Sequence, residues 1–383
     1  MLPTLLLSVV WAQAEPPKDP PSLYQAVVSK PNPDNGYENF LRALDFLKDN
    51  RFRSLAASLI NDPKKPVLEG RRQLVSRFAF ALNAVRAGLR KKVFNPQSIV
   101  EPTTSFPEVA WMPDMTQLFL AEAGVSHAYG NSAASLQSLF DAYEFNSAIQ
   151  RSGPLEPYLG GIEPKSKVLA ELVRRLPGCS LPELASIEKW AVARLAATDL
   201  LDSLTFEKAN VEGQLDNVVA GKWRNRTDRE NSLLQQLGAL SFSDRQLARG
   251  LVEQDVKHAL GLWAAVLKLP ESNWRRPDFP EYSQYGAGFV QQLNAQVEPA
   301  MKGLAVERSK LRMILAACRL YVYRWNYERF PDKLLDAIDQ SLALDPLTGR
   351  PFVYESGPSG VKLSSSGSPI SGPVSLVDGK KDE

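Results

Sequence analysis

Apolar side chains recur at helical spacing through most of this chain, in segments separated by proline and glycine. Residues 37–50 show the pattern most clearly, with five apolar side chains on one predicted face: Tyr37, Phe40, Leu41, Leu44 and Leu47. Further segments of this kind occupy residues 52–60, 67–92, 165–176, 205–222, 286–297 and 304–330. The pattern predicts a mainly α fold, an irregular multi-helix array or bundle with a small C-terminal β-hairpin.

Capping residues predict where some helices begin and end. Asn35 or Gly36 can cap the first segment, and Ser180 with Glu183 forms a capping box before another helix. Ser243 to Gln246 offers a second capping box. Two helices that meet at Gly130-Asn131 are expected to pack as a helical hairpin.

The pattern changes near the C-terminus, where strand signals follow a helix. Pro331 is predicted to end the long apolar helix at Phe330, and a turn follows at residues 345–349. In this turn Asp345 caps the backbone, and Gly349 supplies a left-handed residue. Two strands, residues 352–355 and 361–365, are expected to form a hairpin that lies on the preceding helix, because a lone two-stranded ribbon is only marginally stable.

The order of elements in this stretch resembles the soluble part of the major pseudopilin of type II secretion systems. The similarity covers about 55 residues, and it rests on Leu320, Tyr323, Phe330-Pro331, Leu334, Asp345-Pro346, Gly349-Arg350-Pro351 and Tyr354. Asn326-Tyr327-Glu328 departs from the acidic-Asn-Gly run of that family. The whole plan is also similar to a set of exported helical proteins of planctomycete-type bacteria, a similarity that implies a fold arrangement and no activity.

The N-terminal residues indicate export. Residues 1–14 contain an apolar run from Leu5 to Trp11 followed by Ala12-Gln13-Ala14, which is typical of a signal peptide, although a buried N-terminal strand is the alternative. Residues 15–35 are rich in proline and are expected to form a linker without helix. The expected location is therefore the periplasm or cell envelope, with no transmembrane segment in the mature chain.

The remaining residues are expected to form three parts. Residues 36–303 are predicted to be a helical domain, residues 304–366 a long helix with the pseudopilin-like hairpin module, and residues 367–383 a flexible tail.

The charge balance argues against a nucleic-acid partner. The 383 residues contain 45 Lys and Arg against 43 Asp and Glu, so no basic excess marks a polyanion-binding protein. One predicted helix, residues 67–92, nevertheless has a basic face, which is either a polyanion surface or a solvated face. It consists of Arg71, Arg72, Arg77, Arg86, Arg90, Lys91 and Lys92.

Residues that bear catalytic or ligating chemistry are few. His127 has no nearby carboxylate in sequence, and His258 has only Asp255 at helical spacing, so the sequence predicts no metal site and no cofactor. Cys179 and Cys318 either form a disulfide in an oxidising compartment or serve as free core residues. Neither a nucleophile elbow nor a phosphate-binding loop occurs in the sequence, and no catalytic residue is assigned.

One proline-punctuated loop, residues 270–285, contains Trp274-Arg275-Arg276. It is either a binding lip or a loop held over the core by its aromatic side chains.

These observations favour an exported, non-enzymatic helical protein that acts as an interaction or structural component of the cell envelope, with a protein or another envelope component as partner. Two alternatives remain. The first is a carboxylate-dependent, glycan-acting hydrolase with a cleft near residues 274–285, because carboxylate pairs are assembled spatially and leave no sequence motif. The second is an accessory component of a type II secretion apparatus.

Overall fold

The fold is described from a computed structural model, over residues 22–28, 30–60, 66–96, 106–197, 199–221, 232–357, 360–367 and 374–378. The predicted signal peptide, residues 1–14, lies outside these ranges, as does the linker up to residue 21. The described part is mainly α, as the apolar periodicity predicts. The larger elements are α1 (Leu23–Val27), α2 (Gly36–Asp49), α3 (Phe52–Ile60), α4 (Val67–Arg77), α5 (Ala79–Leu89), α6 (Met112–Ala128), α7 (Ser132–Gln150), α8 (Leu155–Arg175), α9 (Leu181–Leu195), α10 (Asp199–Val219), α11 (Ser232–Gly238), α12 (Phe242–Leu267), α13 (Gly286–Tyr327), α14 (Gln340–Ala343), β1 (Val353–Gly357), β2 (Gly360–Ser365) and β3 (Val374–Asp378).

The expectation that residues 15–35 contain no helix was wrong, because the short helix α1 lies within them. The Asp45 carboxylate of α2 accepts hydrogen bonds from the backbone N–H groups of Leu23, at 2.6 Å, and Tyr24, at 2.9 Å. Ser22 caps the same helix through Gln25. Tertiary capping by a buried acid therefore stabilises a helical turn that its own sequence would not maintain.

Helices α2 and α5 approach each other closely at a pair of glycines. A Cβ atom on Gly36 would lie 2.2 Å from the Gly88 carbonyl oxygen, so only glycine fits at this crossing. Asn35 caps α2 as predicted, since its side chain accepts a hydrogen bond from Tyr37 N–H, and it also bonds both backbone groups of Phe94. The residues around Asn35-Gly36 thus fix the packing of α2.

The helix predicted over residues 67–92 is divided into α4 and α5 at Phe78, which is fully buried. The predicted helical hairpin is confirmed as α6 and α7. Gly130 adopts a left-handed φ of 75° between them, and Asn131 caps α7 by accepting a hydrogen bond from Ala134 N–H. These two helices pack against each other.

Two predicted helix starts need correction, and a third is confirmed. Helix α8 begins at Leu155, ten residues before the predicted start. The Gly160-Gly161 pair and Pro164, which obscured this part of the helix in the sequence, lie inside it. Helix α12 begins at Phe242 with Ser241 as N-cap, so the capping box predicted from Ser243 was wrong. At α9 the Glu183 carboxylate accepts a hydrogen bond from Ser180 N–H at 2.7 Å, as predicted.

The longest helix, α13, was predicted as two helices separated near Pro299 and Gly303. The structure has one continuous helix of 42 residues, about 63 Å long, which crosses the predicted boundary at residues 303 and 304. A proline inside a helix removes one backbone hydrogen bond. Contacts on both sides of Pro299 compensate for this loss, since Trp263 of α12 donates its indole N–H to Asn294 and Lys165 of α8 pairs with Glu307.

The C-terminal sheet has three antiparallel strands in the order β1-β2-β3, one more than the predicted hairpin. The additional strand, β3, lies within residues 367–383, which were expected to be a flexible tail. The central strand β2 contacts α13, and Val361 and Leu363 are buried in the core. The expectation that the ribbon lies on the preceding helix is therefore confirmed.

The turn before the sheet has the predicted capping residue and the predicted left-handed glycine. Asp345 is buried, and its carboxylate accepts hydrogen bonds from Leu347 N–H at 3.0 Å, Thr348 Oγ1 at 2.8 Å and Ser365 Oγ at 2.5 Å. Gly349 has a φ of 68°. Helix α13 ends at Tyr327, three residues before the predicted end, because Glu328 adopts a left-handed conformation.

Candidate functional site

Two adjoining cavities form a groove along α13, and they share Pro299 and Lys302 in their linings. One cavity, of about 360 Å³, lies between α8 and α13, and the other, of about 620 Å³, lies beside α12 and the loop that follows it. Both volumes fall in the range of ligand sites, ~300–1,000 Å³. We call this surface the Pro299 groove; its lining includes Leu159, Ile162, Lys165, Ser166, Leu169, Trp263, Arg275, Arg276, Glu298, Pro299, Met301, Lys302, Val306, Glu307 and Lys310.

The close approach of α8 and α13 shapes the smaller cavity. A Cβ atom on Gly303 would lie 2.5 Å from Ile162 Cδ1, so the absence of a side chain at this position makes room for the isoleucine. Each helix also contains one internal proline, Pro164 in α8 and Pro299 in α13. Leu159, Ile162, Leu169 and Val306 give this cavity mostly apolar walls.

A buried ion pair forms part of the lining of the smaller cavity. The Lys165 ammonium lies 2.8 Å from Glu307 Oε1, and it also donates to Gln150 Oε1 at 2.7 Å. Tyr143 donates its hydroxyl proton to the same Glu307 oxygen, and the Lys165 ammonium lies 4.8 Å from the Tyr143 ring centroid. Burial raises the pKa of Tyr143 well above its ordinary value, and the charge of Glu307 raises it further. The ammonium of Lys165 and the carboxylate of Glu307 form an ion pair, so the two residues add no net charge to the cavity.

Three cations of the groove have no carboxylate partner among the described residues: Arg275, Lys302 and Lys310. Lys310 is half-buried, and its ammonium donates to the neutral Ser166 hydroxyl at 2.9 Å. Burial lowers the pKa of Lys310. Each acid of the groove has a cationic partner, since Glu307 pairs with Lys165, Glu163 lies 2.8 Å from Lys167 and Glu298 lies 3.3 Å from Arg276. The groove consequently has an uncompensated positive charge on an apolar surface.

In the loop with Trp274-Arg275-Arg276, the aromatic side chain packs on the core and the two arginines line a cavity. Trp274 is fully buried and donates its indole N–H to the Leu269 carbonyl at 2.9 Å, so it holds the loop over the core. Arg308 of α13 also holds the loop. Its guanidinium lies 2.8 Å from Glu271 Oε1 and 5.5 Å from the centroid of the Trp274 ring, a cation–π contact. Arg275 and Arg276 instead face the groove, since both line the larger cavity.

A third cavity, of about 620 Å³, continues the groove beyond Arg276 and Glu298 and brings Glu281 to the same surface. This is where the hydrolase alternative expects a pair of catalytic acids. Glu281 is exposed and Glu298 is partly exposed. A glycosidase general acid typically sits in a buried apolar pocket, whereas Glu281 is exposed and Glu298 lies 3.3 Å from the Arg276 guanidinium.

The histidines and cysteines, which could have supplied metal or nucleophilic chemistry, contact residues of the fold. Asp255 accepts hydrogen bonds from Ser283 N–H at 3.0 Å and Ser283 Oγ at 2.6 Å, close to the start of α13, while His258 lies against the ring of Tyr282. His127 and Cys179 line one small cavity of about 10 Å³. Burial raises the pKa of Cys179 to about 12, the opposite of what an activated nucleophile requires.

Both cysteines are free and buried in the structure. They are close enough that the charge of a Cys179 thiolate contributes to raising the pKa of Cys318, after the larger effect of burial. The structure therefore contains the free core thiols that were one of the two sequence interpretations.

Several acids outside the groove have raised pKa values, each with a structural partner. Burial raises the pKa of Glu108 to about 7, and Tyr37 donates its hydroxyl proton to Glu108 at 2.6 Å. Burial also raises the pKa of Glu207, which accepts a hydrogen bond from Leu155 N–H at the start of α8. Glu144 is held by Trp190 and by Arg194. These acids hydrogen-bond to residues of other elements in the helical array.

The basic face predicted on residues 67–92 does not act as one surface. Arg86 is turned into the packing of α5 on α6 and α7, where it pairs with Glu122 at 2.5 Å and with Asp141 at 2.7 Å. Arg72 pairs with Glu69 on its own helix, and Lys91 donates to the Pro33 carbonyl at 2.7 Å. Arg86, Arg72 and Lys91 already have partners within the protein, which weakens the interpretation of this face as a polyanion-binding surface.

The sequence alone did not reveal the Pro299 groove. A signal for its α8 wall exists in the apolar spacing of Leu155, Leu159, Ile162 and Leu169, but Gly160-Gly161 and Pro164 obscured it. The Lys165–Glu307 pair joins residues 142 positions apart, and no local pattern predicts such a contact.

Comparison with protein-family models, with curated proteins and with solved structures found no match for this chain. Within the described ranges, no helix combines the length and apolarity needed to cross a membrane. In the same part of the chain, no group of three or more His, Cys, Asp or Glu side chains is arranged to hold a metal ion.

Proposed function

We propose that this protein is an exported, non-enzymatic helical protein of the cell envelope, and that it binds an envelope component in the Pro299 groove. The observation that carries the proposal is the groove itself, an apolar surface of ligand-site size with uncompensated cations. Such a surface favours an apolar partner that bears negative charge.

The polar groups in the groove support binding in preference to catalysis. Glu307 and Glu298 are held in ion pairs, and no described histidine or cysteine lines either cavity. A hydrolase in this region would depend on Glu281, which is exposed, and on Glu298, which is partly exposed and lies 3.3 Å from Arg276. The groove thus provides contact area and positive charge for a ligand, while Glu307 and Glu298 are engaged in ion pairs.

Co-sedimentation with isolated envelope tests this proposal. Purified protein is mixed with membrane and cell-wall fractions of an envelope preparation, and the bound fraction and any released sugars are measured in the same tubes. We expect saturable binding to one fraction and no release of soluble sugar. Arg275→Glu with Lys302→Glu should weaken the binding at least tenfold, because both cations face the groove.

A charge-matched control separates the groove from general electrostatics. Lys92→Glu with Lys189→Glu changes the net charge by the same amount at exposed positions outside the groove, and it should leave the binding unchanged. Equal losses in both double variants, or no binding at all, would contradict the proposal. Release of soluble sugar that disappears in Glu281→Gln with Glu298→Gln would replace it with the hydrolase.

We further propose that the C-terminal module shares ancestry with the soluble part of the major pseudopilin. The support is the order of elements, an apolar helix, an Asp-Pro turn and a small sheet packed on the helix. This ancestry does not by itself assign a role in secretion, and no feature of the Pro299 groove points to one. Deleting the gene should leave type II secretion intact, and a secretion defect restored by the gene would support the accessory role.

A further inference from the structure

The smaller cavity of the Pro299 groove has apolar walls and a half-buried cation, Lys310. Its walls are Leu159, Ile162, Leu169 and Val306, and the half-buried Lys310 lies beside Ser166 at one end. Pro299 and Lys310 are separated by eleven residues of helix, which corresponds to about 16 Å along the axis of α13. Lys302 also lines the cavity, near Pro299, but its side chain is exposed, so Lys310 is the half-buried cation without a carboxylate partner.

The charge at this end has no carboxylate to balance it among the described residues. Glu307 is three residues from Lys310 on the same helix, but it pairs with Lys165 and Tyr143. Glu163 pairs with Lys167 at 2.8 Å and is exposed. A cation that is partly removed from water and bonded only to a hydroxyl gains from an anionic ligand, because charge-assisted hydrogen bonds are stronger than neutral ones.

We infer that the smaller cavity binds a single-chain amphiphile of the fatty-acid class, with its carboxylate at Lys310 and Ser166 and its acyl chain along the apolar walls towards Pro299. The second cavity continues past Pro299 to Trp263 and Met301, so it extends the apolar path for longer chains. This inference rests on the proposed function, since it specifies the ligand of the same groove.

Calorimetry with three probes that share a twelve-carbon alkyl chain tests the inference. The probes are dodecanoate, dodecanol and dodecyltrimethylammonium, each used below the concentration at which micelles form. We expect dodecanoate to bind once per chain and at least tenfold more tightly than the other two, a ratio that corresponds to one charge-assisted hydrogen bond. Lengthening the acyl chain should tighten binding by up to about fourfold per methylene, because each buried methylene adds hydrophobic stabilisation.

Two variants locate the site and one variant controls for charge. Lys310→Met removes the ammonium but keeps an apolar stem, so it should weaken dodecanoate about tenfold and leave dodecanol unchanged, which also shows that the variant is folded. Val306→Trp fills the cavity and should abolish the binding of every probe, with its fold checked by circular dichroism. Lys189→Met removes an exposed cation on α9 and should have no effect.

Other outcomes of these experiments would contradict either the ligand class or the location of the site. Equal binding of the three probes, all blocked by Val306→Trp, would overturn the fatty-acid assignment while the groove remains a binding site. Binding that persists in Val306→Trp, or no binding, would overturn the cavity as the ligand site, and envelope co-sedimentation would then judge the proposed function independently. Binding only to vesicles of phosphatidylglycerol, without saturable binding of dodecanoate, would assign the cations to a membrane surface and overturn the inference.

Discussion

The ammonium of Lys165 in α8 lies 2.8 Å from a carboxylate oxygen of Glu307 in α13, at a position where the lysine side chain is only 2% exposed. Gln150 and Tyr143 complete this polar cluster from α7. The pair connects the two helices that form the smaller cavity of the Pro299 groove, so the groove and the stability of the helical array depend on the same residues.

Removing one partner of this pair should be costly. We expect Lys165→Met or Glu307→Gln alone to lower the free energy of unfolding by about 3–5 kcal/mol, because either change leaves a buried charge without its partner. The double variant should be at least as stable as the less stable single variant. Urea unfolding of the four proteins measures the coupling, with neutralisation of the exposed Arg329–Asp332 pair as a control that should have little effect. Additive losses would contradict the assignment.

The buried acid Glu108 should make stability depend on pH. Burial raises the pKa of its carboxyl from 4.5 to about 7, so the folded chain binds this proton more tightly than the unfolded chain. Its contribution therefore favours folding at low pH and is lost as pH rises from about 4.5 to about 7. Glu108→Gln should be more stable than the wild type at pH 8, by up to about 3 kcal/mol, and nearly equal to it at pH 4. A constant difference across this range, measured by urea unfolding, would disprove the role of the proton.

The crossing of α2 and α5 should not tolerate a methyl group. Gly36→Ala places a Cβ atom against the Gly88 carbonyl, and we expect a loss of about 1–3 kcal/mol because the two backbones must separate. Gly250 in α12 has open space around its Cα, so Gly250→Ala should instead stabilise the protein by about 0.5–1 kcal/mol through helix propensity. Thermal unfolding of both variants checks the contrast. Equal effects in the two variants would mean that the close approach does not matter.

Asp345 should hold the sheet to the turn. Asp345→Ala removes the acceptor for Leu347, Thr348 and Ser365, so we expect hydrogen exchange to accelerate over residues 360–365 while α2 stays protected. Asp332→Ala, at an exposed position in the same module, is the matched control. Unchanged exchange in β2 would show that the strand does not depend on this carboxylate.

Sequence patterns predicted most of the helices because their signals are local. Asn35 and Ser180 cap helices through residues two or three positions away, and Gly130 and Gly349 supply left-handed turns that few other residues adopt. Where packing decided the outcome, the sequence misled, as at Pro299, which lies inside one helix, and at Pro164, inside a helix predicted to start after it.

The groove could not be predicted because its components are distant in the chain. Ile162 fits against Gly303, and Lys165 pairs with Glu307, only because α8 and α13 pack together. Of the residues singled out from sequence, Arg275 and Arg276 reach the groove, while Trp274, directly before them, is buried in the core. A loop composition rich in arginine and aromatic residues thus indicated the region but not which side chains face outward.

Lysine footprinting tests most directly the claim that the Pro299 groove is the binding surface. The protein is labelled with acetic anhydride, alone and bound to the envelope fraction that sediments it, and labelled lysines are quantified by mass spectrometry. Binding in the groove should protect Lys302 and Lys310 several-fold and leave the exposed Lys92 unchanged. Unchanged labelling of Lys302 and Lys310 in the bound protein would contradict the account.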